Sequence, residues 1–387
     1  MRVAFVIPYL RGRGGWPTVA KGAIRALSAW VDPVLVVARG DAREAKRLFP
    51  EWPVVIVPQI QPLDHQAVVV LPKLLPTWIW VRSLAPLGVD LVHALEAFPT
   101  GWVGEWLAHR EKVPLILTAH GTYSVVWRSS WGLSQAYAGV LGRAAAICPV
   151  SNGTAARMRT NFPGPLRGKS MEVILQGTDE TLRVPAELAR DHHFPVPPVV
   201  LSVGNLKERK GYHISLQAFA ELQKEFPDAR YRIVGSGLGS RYHKRLLRQV
   251  KRLGLRNVDF LGPVDRESLN RLYTESSMFV LTSQEEGDHF EGFGLVFLEA
   301  GAHGLPVIGS RTGGISDAVQ DGITGFLFDS LDVSAVAGAM IHMVRDPEMA
   351  RRLGRAGRTL AESLSWERYA RQQREVYDRV LTTWAGS

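Results

Sequence analysis

The sequence predicts an α/β protein made of two parallel-sheet domains, and three observations carry that reading. Near-continuous aliphatic runs alternate with helix-forming stretches, as strands buried on both faces do. The alternation stops at a proline-rich stretch over residues 184–198 and restarts at residue 199. The chain of 387 residues exceeds one ordinary core and fits two domains of roughly 150–200 residues each. The expected boundaries are 1–184 for the first domain, 185–198 for the linker and 199–365 for the second, with an amphipathic helix over 366–387.

Taken in order, RVAFVIPYL opens as a buried strand and runs into a glycine turn, RGRGGW, before a helix. Gly14 and Gly15 let the backbone approach a ligand there, although a plain turn has the same composition, and the spacing is not that of a dinucleotide fingerprint. Strands follow at PVLVVAR, VVIVP, DLVHAL, PLILTAH and AAICPVS, and EVILQ is expected to close the domain as a further strand before Gly177. In parallel sheets ligands gather at the carboxyl ends of strands, which selects His93, Glu96, His120 and Ser151 as cleft candidates. His120 stands out because it ends a strand, precedes a glycine and can donate to a sugar oxygen or a phosphate near neutral pH; it could equally cap its own strand. Ser151 or Asn152 is placed to cap the next helix. His192 and His193 lack the spacing and partners of a metal site and read as linker residues.

The second half repeats the pattern with VVLSVGN, YRIVGSG and VDFLGPV as strands. Its first turn crowds Lys207, Arg209 and Lys210 just before a helix, where cations and amide donors together could neutralise a diphosphate; solvated surface charge is the plainer alternative. The strand-end turns at Gly235 and at Gly262-Pro263-Val264 suit close backbone contact with a nucleotide, Val264 next to its base. The organising segment is residues 286–314, EGDHFEGFGLVFLEAGAHGLPVIGSRTGG. A helix is predicted from about Gly294 through the apolar run 295–302, so the N–H groups of Phe293, Gly294 and Leu295 lie at its positive end, suited to a diphosphate. Glu291 before the helix and Glu299 one turn into it can each accept hydrogen bonds from paired hydroxyls, although two solvated helix-end charges have the same spacing.

Composition sets the outer limits. Hydrophobic residues at 46% and charged residues at 21% are globular values. A formal net charge of +9 points to anionic partners, but nucleotides, phosphorylated lipids and nucleic acids all qualify. With no basic-aromatic platform or recognition motif, nucleic acid is not an expected partner. One cysteine, Cys148, excludes an internal disulfide and fits a buried thiol in a reducing cytoplasm. The start, MRVAFVIPYL, has no signal-peptide pattern. The most membrane-like stretch, residues 67–87, is interrupted by Lys73, Arg82 and three prolines, so a strand and a covering helix are expected. Trp78 and Trp80 beside Arg82 leave room for a peripheral membrane contact.

The segment around Glu291 and Glu299 resembles the Glu-x7-Glu signature of retaining glycosyltransferases of family 4, which have the GT-B fold: two Rossmann-like domains with parallel sheets facing a central cleft, and a C-terminal helix that crosses back to the first domain. The resemblance extends over nearly the whole chain, with its strong motifs in 201–330, where GGISDAVQDGITGFLF also matches apart from Asp317 in place of a common Glu. It implies that Glu291 holds hydroxyls of the donor sugar and Glu299 the ribose. Lys210 matches the lysine before a glycine, while Asn205 stands where the family has an arginine, so Lys207 or Arg209 is expected to substitute. His120 matches a His-Gly near the donor sugar, and the loop of Gly14 and Gly15 faces the donor. His93 and Glu96 fit a looser pattern as acceptor-side residues, with Leu95 at the usual second histidine, and Gln176 replaces an asparagine.

The expected function is retaining transfer of a hexose from a nucleotide-diphosphate sugar, with a lean towards GDP-mannose over a UDP-sugar, to a glycan, lipid or small-molecule hydroxyl. No Asp-x-Asp pair occurs, so neither metal nor cofactor is expected and cations must stabilise the leaving diphosphate. A nucleotide-sugar epimerase of the same architecture and a non-catalytic nucleotide-sugar-binding protein are the alternatives.

Overall fold

The structure, a computed structural model, describes residues 1–11, 15–60, 70–125, 131–178, 195–287 and 289–386, without the side chains of 70–73 and 131–133. The chain divides into two units, Met1–Gly177 with Trp366–Ser387, and Thr178–Ser365. The boundary expected at residue 184 and most of the 185–198 linker, including His192 and His193, lie outside the described residues.

The first unit runs β1 (Arg2–Val6), α1 (Gly15–Leu27), β2 (Asp32–Ala38), α2 (Ala42–Leu48), β3 (Val54–Val57), α3 (Val70–Ser83), β4 (Leu91–Ala94), α4 (Thr100–Glu111), β5 (Leu115–Ala119), α5 (Thr122–Val125), α6 (Trp131–Arg143), β6 (Ala146–Pro149) and α7 (Asn152–Asn161). The strands form one parallel sheet in the order β3-β2-β1-β4-β5-β6. Order reverses between β1 and β4, so the loops leaving their carboxyl ends part to opposite faces and open a crevice. The aliphatic runs are short because prolines end them. The strand expected over 2–10 stops at Val6; Ile7 still donates to Val36 O at 3.0 Å, but Pro8 has no N–H with which to continue the ladder. Residues 172–176 are not a strand of this sheet, contrary to expectation. Glu172 N donates to Ile147 O and Ile174 N to Pro149 O, but Pro149 cannot return a bond and the ladder breaks there. Ser151 caps α7, its side chain accepting from Thr154 N at 3.0 Å.

The second unit runs β7 (Val199–Val203), α8 (Tyr212–Glu225), β8 (Arg230–Val234), α9 (Arg241–Arg252), β9 (Val258–Gly262), α10 (Arg266–Thr274), β10 (Met278–Leu281), α11 (Leu295–Ala302), β11 (Val307–Ser310), α12 (Ile315–Ala318), β12 (Gly325–Phe328), α13 (Val333–Arg345) and α14 (Pro347–Ser363). Its parallel sheet has the order β12-β11-β10-β7-β8-β9, which repeats the first unit's winding strand for strand, with the reversal between β7 and β10. Both sheets are therefore of Rossmann type. β10 and β12, of four residues each, were not singled out in the sequence.

The last helix, α15 (Trp366–Ala385), belongs to the first unit. Its Tyr369, Ala370, Val376 and Tyr377 join that unit's core, and it packs on α1, where a β-carbon at Gly22 would stand 2.3 Å from Trp366 Cε2. His93, expected at the cleft, is instead a tie between the sheet and this helix. It is fully buried on β4, with Nδ1 2.6 Å from Tyr377 Oη and Nε2 2.7 Å from Thr118 Oγ1. Burial pushes the imidazole down to about 3, so it is neutral and shares its one proton along this chain of hydroxyls. Among the described residues no helix is long and apolar enough to cross a membrane. Removing the hydroxyl with Tyr377→Phe leaves a buried ring nitrogen unpaired and should lower stability by about 1–3 kcal/mol, read as a drop in thermal midpoint; an unchanged midpoint would show that the tie carries no weight.

Candidate functional site

In the second unit the residues singled out by sequence converge on the switch between β7 and β10. The turn after β7 carries Asn205 to Lys210 and closes at Gly211, which enters α8. Gly211 has φ +70°, and a β-carbon there would meet the Thr282 carbonyl oxygen at 1.8 Å, so neither the conformation nor the space admits a side chain. Thr282 Oγ1 donates to Gly211 O at 2.8 Å and Gln284 N to Arg209 O at 2.6 Å, fastening the basic turn to the loop that leaves β10. That loop leads to Glu291. The backbone of Glu291 is fixed in turn by Gly314 N, which donates to its carbonyl at 2.9 Å, and by Gly313, at φ +54°, whose β-carbon would lie 2.3 Å from the same oxygen.

These two loops bring Lys210 Nζ to 2.5 Å and Arg209 Nη1 to 3.2 Å from Glu291 Oε2. The side chains are 11%, 25% and 17% exposed for Lys210, Arg209 and Glu291, so the three charges sit largely out of water yet within reach of a ligand. Burial pushes the Glu291 carboxyl up, but Lys210 and Arg209 outweigh it and hold the group below the usual carboxylate range. Two cations against one carboxylate leave a surplus positive charge at this point. Asn205, at the position of the family's arginine, is exposed and accepts from Ser236 Oγ at 2.7 Å, while Lys207 is exposed; of the two expected substitutes it is Arg209 that reaches the cluster.

Immediately beyond, α11 spans Leu295–Ala302 with Gly294 as its N-cap, the bounds read from the sequence. Gly294 supplies no side-chain cap, and the first amides of α11 precede any intrahelical acceptor. Phe293, just before them, is buried. Glu299 is half-buried on the same helix, and its Oε2 accepts from Tyr273 Oη at 3.1 Å. Tyr273 is fully buried on α10, and its ring stacks on His303 at the end of α11, so the hydroxyl that reaches the acid is itself held in place. Gly235 follows β8 and donates to Gly262 O at 3.0 Å; Val264 leaves β9 just before the Asp265 cap of α10. Both lie at the carboxyl edge of this sheet.

The first unit gathers buried polar groups that carry no charge. Glu96 follows β4 and is 1% exposed; its Oε1 accepts from Ala97 N at 2.9 Å and Ser124 Oγ at 2.7 Å, while Oε2 has no hydrogen-bond partner among the described residues. Burial pushes this carboxyl up to about 7, only partly opposed by Ser124, Ala97 and the more distant N–H groups of His120 and Trp16. His120, after β5, is neutral for the same reason: burial pushes its imidazole down to about 3 against the raising effect of the Leu95 carbonyl. Its ring lies 4.3 Å from that of Trp16 and its Nδ1 2.7 Å from Gln176 Nε2, so an amide donated to Nδ1 leaves the proton on Nε2. Gly15 begins α1 beside Trp16 and is exposed; Gly14 lies outside the described residues. Trp16, Tyr273 and the orienting role of Gln176 were not legible in the sequence. Gln176 showed only as a departure from a motif, and the other two lie far along the chain from the groups they touch.

Known proteins share this construction. The family described as Glycosyltransferase Family 4 matches residues 13–182, and Glycosyl transferases group 1 matches residues 187–360. The D-inositol 3-phosphate glycosyltransferase of Nocardia farcinica is 30% identical over 315 residues, covering 77% of this chain and 68% of that protein. The GDP-mannose-dependent alpha-(1-6)-phosphatidylinositol monomannoside mannosyltransferase of Mycolicibacterium smegmatis is 28% identical over 330 residues, 80% of this chain and 85% of that one. Among solved structures, the sucrose-phosphate synthase of Thermosynechococcus elongatus superposes with a TM-score of 0.77 at 25% identity and covers 99% of both chains.

The raised Glu96 carboxyl has a thermodynamic consequence. A buried acid protonated in the folded state to about 7 favours folding fully below its unfolded value of about 4.5 and loses that advantage as pH rises through 7. Relative to Glu96→Gln, the wild type should therefore lose about 3 kcal/mol of stability between pH 4.5 and pH 7.5. Parallel stability–pH curves for the two proteins would show that Glu96 stays ionised.

Proposed function

The chain belongs to the family 4 glycosyltransferases of GT-B fold, and on that premise we propose that it transfers a hexose with retention from a nucleoside-diphosphate sugar to a hydroxyl acceptor, without a metal or other cofactor. The observation that carries this reading is the meeting of Lys210 and Arg209 at Glu291, one turn before the amino end of α11. A surplus cation pair beside the amino end of a helix is chemistry for a pyrophosphate, and a carboxylate in the same cluster is chemistry for sugar hydroxyls.

In the reaction, Lys210 and Arg209 turn from Glu291 to the donor phosphates, and the amides of Phe293, Gly294 and Leu295 take further phosphate oxygens. Glu291, relieved of part of its ion pairing, accepts hydrogen bonds from the sugar hydroxyls. Glu299, aimed by Tyr273, accepts from the ribose, and the backbone near Gly235 and Val264 borders the base. In the first unit, His120 is kept as a neutral hydrogen-bond donor suited to a hydroxyl. The acceptor oxygen bonds to the anomeric carbon on the face from which the nucleoside diphosphate leaves. The anomeric carbon–oxygen bond to phosphate breaks as the new bond forms, and the acceptor proton passes to an oxygen of the departing diphosphate. Cations fixed before the reaction stabilise the charge that grows on that leaving group.

The similarity to a GDP-mannose-dependent enzyme supports GDP-mannose as the donor to test first, with UDP-sugars as the second class. The acceptor is a hydroxyl group of a glycan, a lipid or a small molecule. Peripheral contact with the cytoplasmic face of a membrane would suit a lipid-borne acceptor: on α3, Leu75 and Ile79 are 52% and 56% exposed, and Arg82 lies 4.7 Å over the Trp78 ring.

Thermal shifts against GDP-, UDP- and ADP-sugars, followed by transfer assays, separate the roles of the two acids. Glu299→Ala should weaken donor binding about 10- to 100-fold by loss of a charge-assisted hydrogen bond. Glu291→Ala should leave the two cations free for the diphosphate and hold donor affinity, while lowering turnover by at least about 100-fold. Equal, small effects of both substitutions on binding and rate would contradict the assignment.

A further inference from the structure

The formal net charge of +9 is unevenly spread. Helix α9, Arg241–Arg252, carries six cations, Arg241, Lys244, Arg245, Arg248, Lys251 and Arg252, and no acidic residue. Its charge of +6 is two-thirds of the net charge of the chain. At about 100° per residue these six side chains fall within an arc of about 120° along a strip roughly 17 Å long. All six are exposed. Arg245 pairs with Glu208, and among the described residues none of the other five has a carboxylate within ion-pair distance. The opposite side of the helix, Tyr242, Leu246 and Gln249, is buried in the second unit, so the strip is held outward by the fold itself.

We propose that the outer face of α9 is a docking surface for an anionic phospholipid bilayer. Charge complementarity selects a phosphate-rich partner, and the remaining side chains select its kind. The aromatic rings of the helix are turned away from this face, Tyr242 buried and His243 half-buried with its ring 4.9 Å from that of Phe260, so the strip offers no aromatic platform on which bases would stack. What flanks the cations is Leu247, 46% exposed, an apolar side chain that a headgroup layer can accept and a base edge cannot use. Unlike a peptide that must fold on binding, this strip is already ordered, and each cation near an anionic surface contributes about a fivefold gain in partitioning at low salt.

The test is flotation of the full chain with vesicles of phosphatidylcholine alone or mixed with phosphatidylglycerol, at low and at high salt. The protein should float with the mixed vesicles at low salt only. Combining Arg241→Gln, Lys244→Gln, Arg248→Gln and Lys251→Gln should reduce that partitioning on the order of 100-fold or more, with the nucleotide-induced thermal shift intact as proof of folding. Leu247→Gln should reduce it severalfold while leaving retention on duplex DNA unchanged. Equal flotation with both vesicle types, or full binding by the fourfold variant, would overturn the proposal. Binding to duplex DNA as tight as to mixed vesicles, with Leu247→Gln lowering neither, would reassign the strip to nucleic acid.

Discussion

The second unit is organised around a carboxylate whose burial is offset by two cations. Glu291 is largely withdrawn from water, and burial acts to neutralise it; Lys210 and Arg209 reverse that tendency. Such a cluster adds little to stability over an apolar replacement, yet losing one partner costs several kcal/mol because a bare charge is left behind. The surrounding backbone is built to prevent that loss. Gly211 closes the basic turn onto Thr282, Gln284 binds the carbonyl of Arg209, and Gly313 and Gly314 hold the carbonyl of Glu291. A charged trio maintained this way is a poor stabiliser but a well-prepared receptor, since an arriving diphosphate takes over interactions that the ligand-free protein satisfies internally.

The two units share one winding and differ in charge logic. Each reverses its strand order between its first and fourth strands, and each places polar residues at the carboxyl ends beside that reversal. In the second unit burial is overcome by cations and the acid is ionised. In the first unit burial prevails, so Glu96 holds its proton to about 7 and His120 stays uncharged. Neutral donors and acceptors suit hydroxyl groups, and fixed cations suit phosphate, so the same fold supplies two kinds of recognition surface by changing only what faces the buried acid.

How much of this could be read in advance depended on the distance along the chain over which each feature is specified. The α11 helix was legible to its end residues, because a glycine turn and an unbroken apolar run fix it locally. The basic turn was legible as a charge cluster, and Arg209 rather than Lys207 as the group at Glu291 needed the structure, since the choice is set by how the turn closes on Thr282 and Gln284. Tyr273 lies 26 residues from Glu299, and Tyr377 lies 284 from His93; nothing local announces either pair. His93 misled for a physical reason: a histidine at a strand end reads as a ligand-facing donor, yet here its two nitrogens are both used by buried hydroxyls. The segment 172–176 misled because its aliphatic pattern is that of a strand, while the residue that denies it a ladder, Pro149, belongs to the neighbouring strand.

The most direct measurement is a crystal structure of the full chain with a bound nucleoside diphosphate. The account places the pyrophosphate within hydrogen-bond reach of Lys210 Nζ and of the amides that open α11, with Lys210 drawn away from Glu291 and the ribose on Glu299. A pyrophosphate bound elsewhere, with the Lys210–Glu291 pair intact and Glu299 facing solvent, would contradict it.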